Sequence, residues 1–96
     1  MHKSTQTILR LARSFPCLHA KLRDWNPTEF DPDQFYQKLT GASHGEWLCG
    51  LFVLNVWSQA NARQKEWGFD LFEFAGVADP DNRQALMNWL AHPEWP

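Results

Sequence analysis

The stretch that decides the fold is Ser43–Trp57, SHGEWLCGLFVLNVW. Ser43 and Glu46 stand at the Ser-x-x-Glu spacing of a helix capping box. In such a box the serine side chain accepts from the backbone amide three residues on, and the glutamate reaches back to the serine's own amide. Beyond the cap, Trp47, Leu48, Cys49, Leu51, Phe52, Val53, Leu54, Val56 and Trp57 leave almost no polar side. A helix that is apolar all round is buried, in a protein or in a bilayer. This one falls short of the roughly 20 apolar residues a bilayer span requires, and Gly50 and Asn55 interrupt it. We read it as the central helix of a small globular protein, covering about residues 43–58, with other helices around it.

Upstream, a first helix is expected over Ser4–Phe15. Ile8, Leu11, Ala12 and Phe15 fall at i, i+3, i+4 and i+7, one continuous face. Pro16 breaks or reorients it. A second short helix over Cys17–Trp25 places Leu18, Leu22 and Trp25 together, and Asn26-Pro27 ends it because a residue before proline is driven out of the helical region. Asp31 then caps a third helix, with Pro32 in its first turn, Gln34 as reciprocal cap partner and Phe35, Tyr36 and Leu39 as apolar contacts. Gly41 is placed as a left-handed stop.

Downstream of the central helix, Gln59–Glu66 reads as a polar connection. Asp70 and Glu73 repeat the cap spacing before a short helix with Leu71, Phe74 and Ala75, for which Gly76 is the expected stop. Asp79, Pro80 and Asp81 open a last helix with Leu86, Trp89 and Leu90 on one face. It ends before Pro93 and leaves Glu94, Trp95 and Pro96 as a tail. The β-favouring run Leu51–Trp57 lacks alternation and lies inside a longer capped segment. The sequence therefore predicts an all-α protein: one domain over residues 1–96, a compact bundle of about five short helices around the central one. No repeat, low-complexity run or linker divides it.

Composition agrees. Of 96 residues, 44% are apolar and 21% charged, ordinary values for a globular chain. Six Trp and seven Phe bury much area per residue, so a short chain can build a core. Two cysteines make no disulfide framework. Cys17 and Cys49 are expected as free thiols in apolar surroundings. The N-terminal stretch MHKSTQTILRLARSF has neither a continuous apolar segment nor a small-residue cleavage site, so the expected compartment is the cytoplasm.

The net charge is −2, which excludes a strongly basic nucleic-acid binder and an acidic mimic. Its distribution is uneven. Residues 1–23 carry Lys3, Arg10, Arg13, Lys21 and Arg23 and no acid, whereas residues 24–96 carry four bases against all eleven acids. Spread at this density, the bases read first as the solvated face of a helix. Arg10, Arg13, Lys21 and Arg23 are nevertheless the candidate contacts for a partner or a nucleic-acid backbone.

Side chains that bear chemistry have structural explanations. Ser43, His44 and Glu46 are the residue types of a hydrolase triad, but neighbours on a first helical turn point apart, and capping accounts for two of the three. Cys17, His19, His44 and Cys49 lack zinc-ligand spacing. The sequence holds no glycine-rich phosphate loop, HExxH or paired carboxylates on one helix. The expectation is no enzyme, no cofactor and no metal. Asn55 shares a face with Leu48, Leu51 and Phe52. There it must find hydrogen bonds or cost about 1–3 kcal/mol, and a nearby loop group is the expected partner.

Trp47, Trp57, Phe52, Phe69, Phe72, Phe74 and Trp89 are expected in the core. Trp95, between Pro93 and Pro96, either docks back onto the domain or anchors a partner. The order of Ser43-His44-Gly45-Glu46 before FVLNVW, then FDLFE (69–73), then a helix closing on PEWP, resembles small bacterial, plasmid and phage proteins. It spans roughly the C-terminal half of the chain and implies no activity. The functional expectation is a non-enzymatic helical protein that binds another macromolecule, first of all a protein. One alternative is a phage- or plasmid-borne inhibitor or adaptor of a host defence or replication complex. The other is a nucleic-acid-binding module using the basic N-terminal segment. No membrane contact is expected, and the candidate contacts are Arg10, Arg13, Lys21, Arg23 and Trp95.

Overall fold

The computed structural model describes residues 3–58 and 67–96; the expected polar connection, Gln59–Glu66, lies outside the described residues. Six helices follow in order among the described residues: α1 (Lys3–Ser14), α2 (Pro16–Lys21), α3 (Pro32–Lys38), α4 (His44–Trp57), α5 (Leu71–Val77) and α6 (Pro80–Ala91). No strand occurs among them. The Cα radius of gyration is 12.2 Å, against about 12.5 Å for a compact domain of this length. No helix among the described residues is long and apolar enough to cross a membrane.

α4 is the axis, as its apolar sequence requires. Leu48, Cys49, Gly50, Leu51, Phe52, Val53, Leu54 and Val56 are all buried, because α1, α2, α3 and α5 pack around it. α1 contributes Ile8, Leu9, Leu11 and Ala12, and Phe15 follows just beyond its end. Each large side chain so buried contributes roughly 1.5–3 kcal/mol relative to exposure. Gly50 has a specific use: a methyl group at this position would overlap the side chain of Leu39. The missing Cβ is the seat on which the end of α3 rests.

The caps explain where the helices begin. Ser43 Oγ accepts from the Glu46 amide at 3.2 Å, and Glu46 Oε1 accepts from the Ser43 amide at 2.8 Å, a complete capping box. Asp31 accepts from the amides of Asp33 and Gln34, and Asp70 from those of Phe72 and Glu73. Gln34 does not reach back as expected; its Oε1 accepts instead from Trp25 Nε1 at 3.3 Å. Asp79 holds the extended N-cap conformation, but its side chain makes no capping bond.

The stops divide in the same way. Gly41 adopts φ +80° after α3, the left-handed conformation that glycine adopts without strain. Gly76 does not stop α5, which runs on to Val77. The chain turns extended at Ala78 and Asp79, where Pro80 forbids its predecessor the helical region. Two further boundaries shift: α1 starts at Lys3 and ends at Ser14, and α2 spans Pro16–Lys21, with Pro16 in its first turn.

Buried polar groups tie the surrounding helices together. Thr5 Oγ1 on α1 accepts from the Phe30 amide at 3.0 Å, and Asn82 Oδ1 on α6 accepts from the Cys17 amide at 3.4 Å.

Candidate functional site

Asn55 is the polar exception on the apolar flank of α4, and it orients what surrounds it. Its Nδ2 donates to Leu51 O at 2.8 Å and to Trp67 O at 2.6 Å. The loop carbonyl expected from the sequence is thus found, and it pins the segment leading into α5. With both amide hydrogens engaged, Oδ1 is left as an acceptor. No hydrogen bond to it forms among the described residues.

That side chain lines a cleft of about 370 Å³, together with Phe52, Val56, Phe69, Trp89 and Trp95. The cleft is built from a relay of edge-on rings. Phe52 meets Phe69 at 5.4 Å and Trp89 at 5.5 Å, and Trp89 meets Trp95 at 5.0 Å. α4 supplies the floor, the segment before α5 one wall, and α6 with the C-terminal tail the other. The result is a concave, mostly aromatic surface with one polar side chain, Asn55, in its lining, the usual make-up of a recognition pocket.

Trp95 reaches this wall because the tail is held. Arg10 on α1 pairs with the Glu94 carboxylate at 3.2 Å, and Trp89 Nε1 donates to Glu94 O at 3.1 Å. Trp95 therefore docks back on the domain, yet it stays 51% exposed. A ring locked on one face and open on the other is presented at little further entropic cost to binding.

The surroundings carry more uncovered apolar surface than the sequence forecast. Phe72 was expected in the core and is 88% exposed. α5 has only seven residues, and its inward position is taken by Phe74. Phe72, about 200° away round the helix, faces outward. Leu90, assigned to the apolar face by periodicity, is 55% exposed, and Leu71, Met87 and Val77 join it. Phe72 is the residue that sequence reasoning missed. The available signal was the length of α5, two turns bounded by Asp70 and Asp79, too short to bury two aromatic faces.

The C-terminal part of the chain is mostly acidic. Among residues 67–96 the acids are Asp70, Glu73, Asp79, Asp81 and Glu94, against the single base Arg83. The Arg83 guanidinium is already donating to Ala78 O at 2.7 Å. Arg10 and Arg13 prove to be internal fasteners. Arg10 holds the tail, and Arg13 donates to Trp25 O at 2.6 Å and Asn26 Oδ1 at 3.0 Å, closing the turn after α2. Lys21 is half-buried and Arg23 exposed, and neither forms an ion pair among the described residues.

The remaining candidates also have definite places. Ser43 and Glu46 serve the cap, and His44 points elsewhere, to Glu73 Oε1 at 3.1 Å. His19 lies apart, on the surface beside Arg13 and Ser14. No group of three or more His, Cys, Asp or Glu side chains is placed to hold a metal among the described residues. Comparison with protein-family models, curated proteins and solved structures returned no match.

Proposed function

We propose that the protein is a non-enzymatic binding module whose partner is another protein, docked on the aromatic cleft and the exposed apolar side of α5. The observation that carries this reading is the exposure of Phe72 at 88%, on the helix that follows Phe69 of the cleft wall. A large ring left in water, with Leu71, Val77, Met87 and Leu90 also uncovered on α5 and α6, marks an interaction surface. The chemistry specifies the occupant. The cleft takes an apolar segment that brings one N–H donor to Asn55 Oδ1, and the acids of the surrounding surface favour Lys or Arg on its flanks. The same acids repel a phosphate backbone, and two of the five bases of the N-terminal segment, Arg10 and Arg13, are engaged internally. Both facts weigh for a protein over a nucleic acid.

The test is selection of peptides from a displayed random library on the immobilised full chain. Selected peptides should share an apolar centre with basic flanks. Their affinity should fall about tenfold or more with Phe72→Ser and with Trp95→Ala, the size of loss seen at a binding hot spot, and stay unchanged with Arg23→Ala. Peptides indifferent to Phe72→Ser and Trp95→Ala would remove the cleft from consideration. A duplex oligonucleotide whose binding falls steeply with salt and with Arg23→Ala would move the function to the basic segment.

A further inference from the structure

Cys17 and Cys49 lie far apart in sequence and meet in the fold. Cys17 is in the first turn of α2 and half-buried, while Cys49 lies in the middle of α4 and is fully buried. α2 packs against α4, and across that contact each thiol is near enough to perturb the other. Cys17 also lines a cleft of about 300 Å³ with Ser43, His44, Glu46, Asp79 and Asn82. The pair is therefore asymmetric. One cysteine lines an open cleft, and the other is closed off from solvent.

We propose that Cys17 and Cys49 form a thiol-oxidation site, in which a hydroperoxide oxidises Cys17 and Cys49 resolves the product into an intramolecular disulfide. In the first step the Cys17 thiolate attacks one oxygen of hydrogen peroxide. The S–O bond forms as the O–O bond breaks, the departing hydroxide takes a proton and leaves as water, and the sulfur loses two electrons. In the second step the Cys49 sulfur attacks the Cys17 sulfur. The S–S bond forms, the S–O bond breaks, and the departing hydroxide takes the Cys49 proton as a second water. Two thiols and one peroxide give one disulfide and two waters.

Local electrostatics set the order of events. The neighbouring Cys49 thiol holds the Cys17 thiol below the ordinary range, despite opposition from burial and from the Glu46 and Asp79 carboxylates. The neighbouring Cys17 sulfur, with burial, pushes Cys49 far up, so it keeps its proton until Cys17 has reacted. Reactivity toward peroxide follows thiolate character and access, and both fall on Cys17.

The experiment treats the reduced, full chain with hydrogen peroxide and follows it by thiol counting and intact mass. Both thiols should vanish together, the mass should fall by two hydrogens, and a phosphine reductant should restore them. In Cys49→Ala, dimedone should trap a sulfenic acid at Cys17. In Cys17→Ala, Cys49 should react at least about tenfold more slowly than Cys17 does, with circular dichroism confirming that both variants fold. The unsubstituted chain decides the matter by itself. Cys17 running on to sulfinic acid while Cys49 stays reduced, a disulfide joining two chains, or two thiols untouched by peroxide would each overturn the proposal.

Discussion

α1 and α6 are both helices of 12 residues, and they end in opposite conditions. α1 packs on α2 and α4, and each of its large apolar side chains, Ile8, Leu9 and Leu11, is buried. Its two arginines are bound to the tail and to the turn after α2. α6 rests mainly on α2. It buries Asn82, Ala85 and Leu86 but leaves Met87 and Leu90 half in water. The difference does not lie in how apolar the residues are. It lies in how many neighbours arrive to cover them. The surface available to a partner therefore falls where intramolecular cover runs out, along α5, α6 and the tail, rather than where the charges of the sequence cluster.

Substitutions along the two helices test this contrast. The largest effect is expected on the covered one. Ile8→Ala should cost about 2–5 kcal/mol, the range for a fully buried aliphatic side chain, read by urea denaturation. A loss below about 1 kcal/mol would mean that the site collapses to fill the space, and the distinction between the helices would fail. Next comes Trp89→Ala. Its ring is half-buried but touches Phe52 and Trp95 and donates to Glu94 O. A cost of about 2 kcal/mol is expected, below the range for a fully buried Trp, together with release of the tail. It should appear as a fall in Tm of about 8–16 °C and as greater quenching of Trp95 fluorescence.

Helix starts sharpen the comparison at smaller scale. Ser43→Ala should cost about 0.5–2 kcal/mol because a working cap is lost. Asp79→Ala should stay within about 0.5 kcal/mol, since its side chain makes no capping bond. Equal losses at the two positions would show that the hydroxyl bond of Ser43 contributes little. The smallest change is expected for Leu90→Ser, within about 0.5 kcal/mol in the same denaturation assay. A larger loss there would show Leu90 to be covered in solution and would shrink the proposed docking surface.

The same contrast explains what was legible in the sequence. The central helix was, because an all-round apolar segment behind a capping box has no other stable place. Gly41 and Asn55 were too, since a left-handed stop and a polar group on an apolar face each have a single local solution. Gly76 was not: a nearby proline fixed the backbone before the glycine was needed. Leu90 was misplaced because periodicity assigns a side chain to a face but does not say whether anything packs on that face, and Phe72 because a large ring was taken for core on its size alone. Of the candidate contacts, Trp95 proved both docked and exposed, an outcome its position at the chain end did not separate. The engagement of Arg10 and Arg13, like the meeting of Cys17 and Cys49, joins residues distant along the chain, and spacing carries no sign of it.

Gly50 and Leu39 form one unit of inheritance. A glycine in mid-helix costs about 0.5–1 kcal/mol relative to alanine, so drift at position 50 alone ought to favour the larger residue. Leu39 fills the space that residue would need. Neither position can change freely: enlarging one demands shrinking the other, and contacting pairs of this kind couple by about 0.5–3 kcal/mol. Divergent copies of this chain should therefore show the two sites changing together, a glycine facing a leucine or an alanine facing something smaller, so that a trace of the fold survives after the rest of the sequence has drifted.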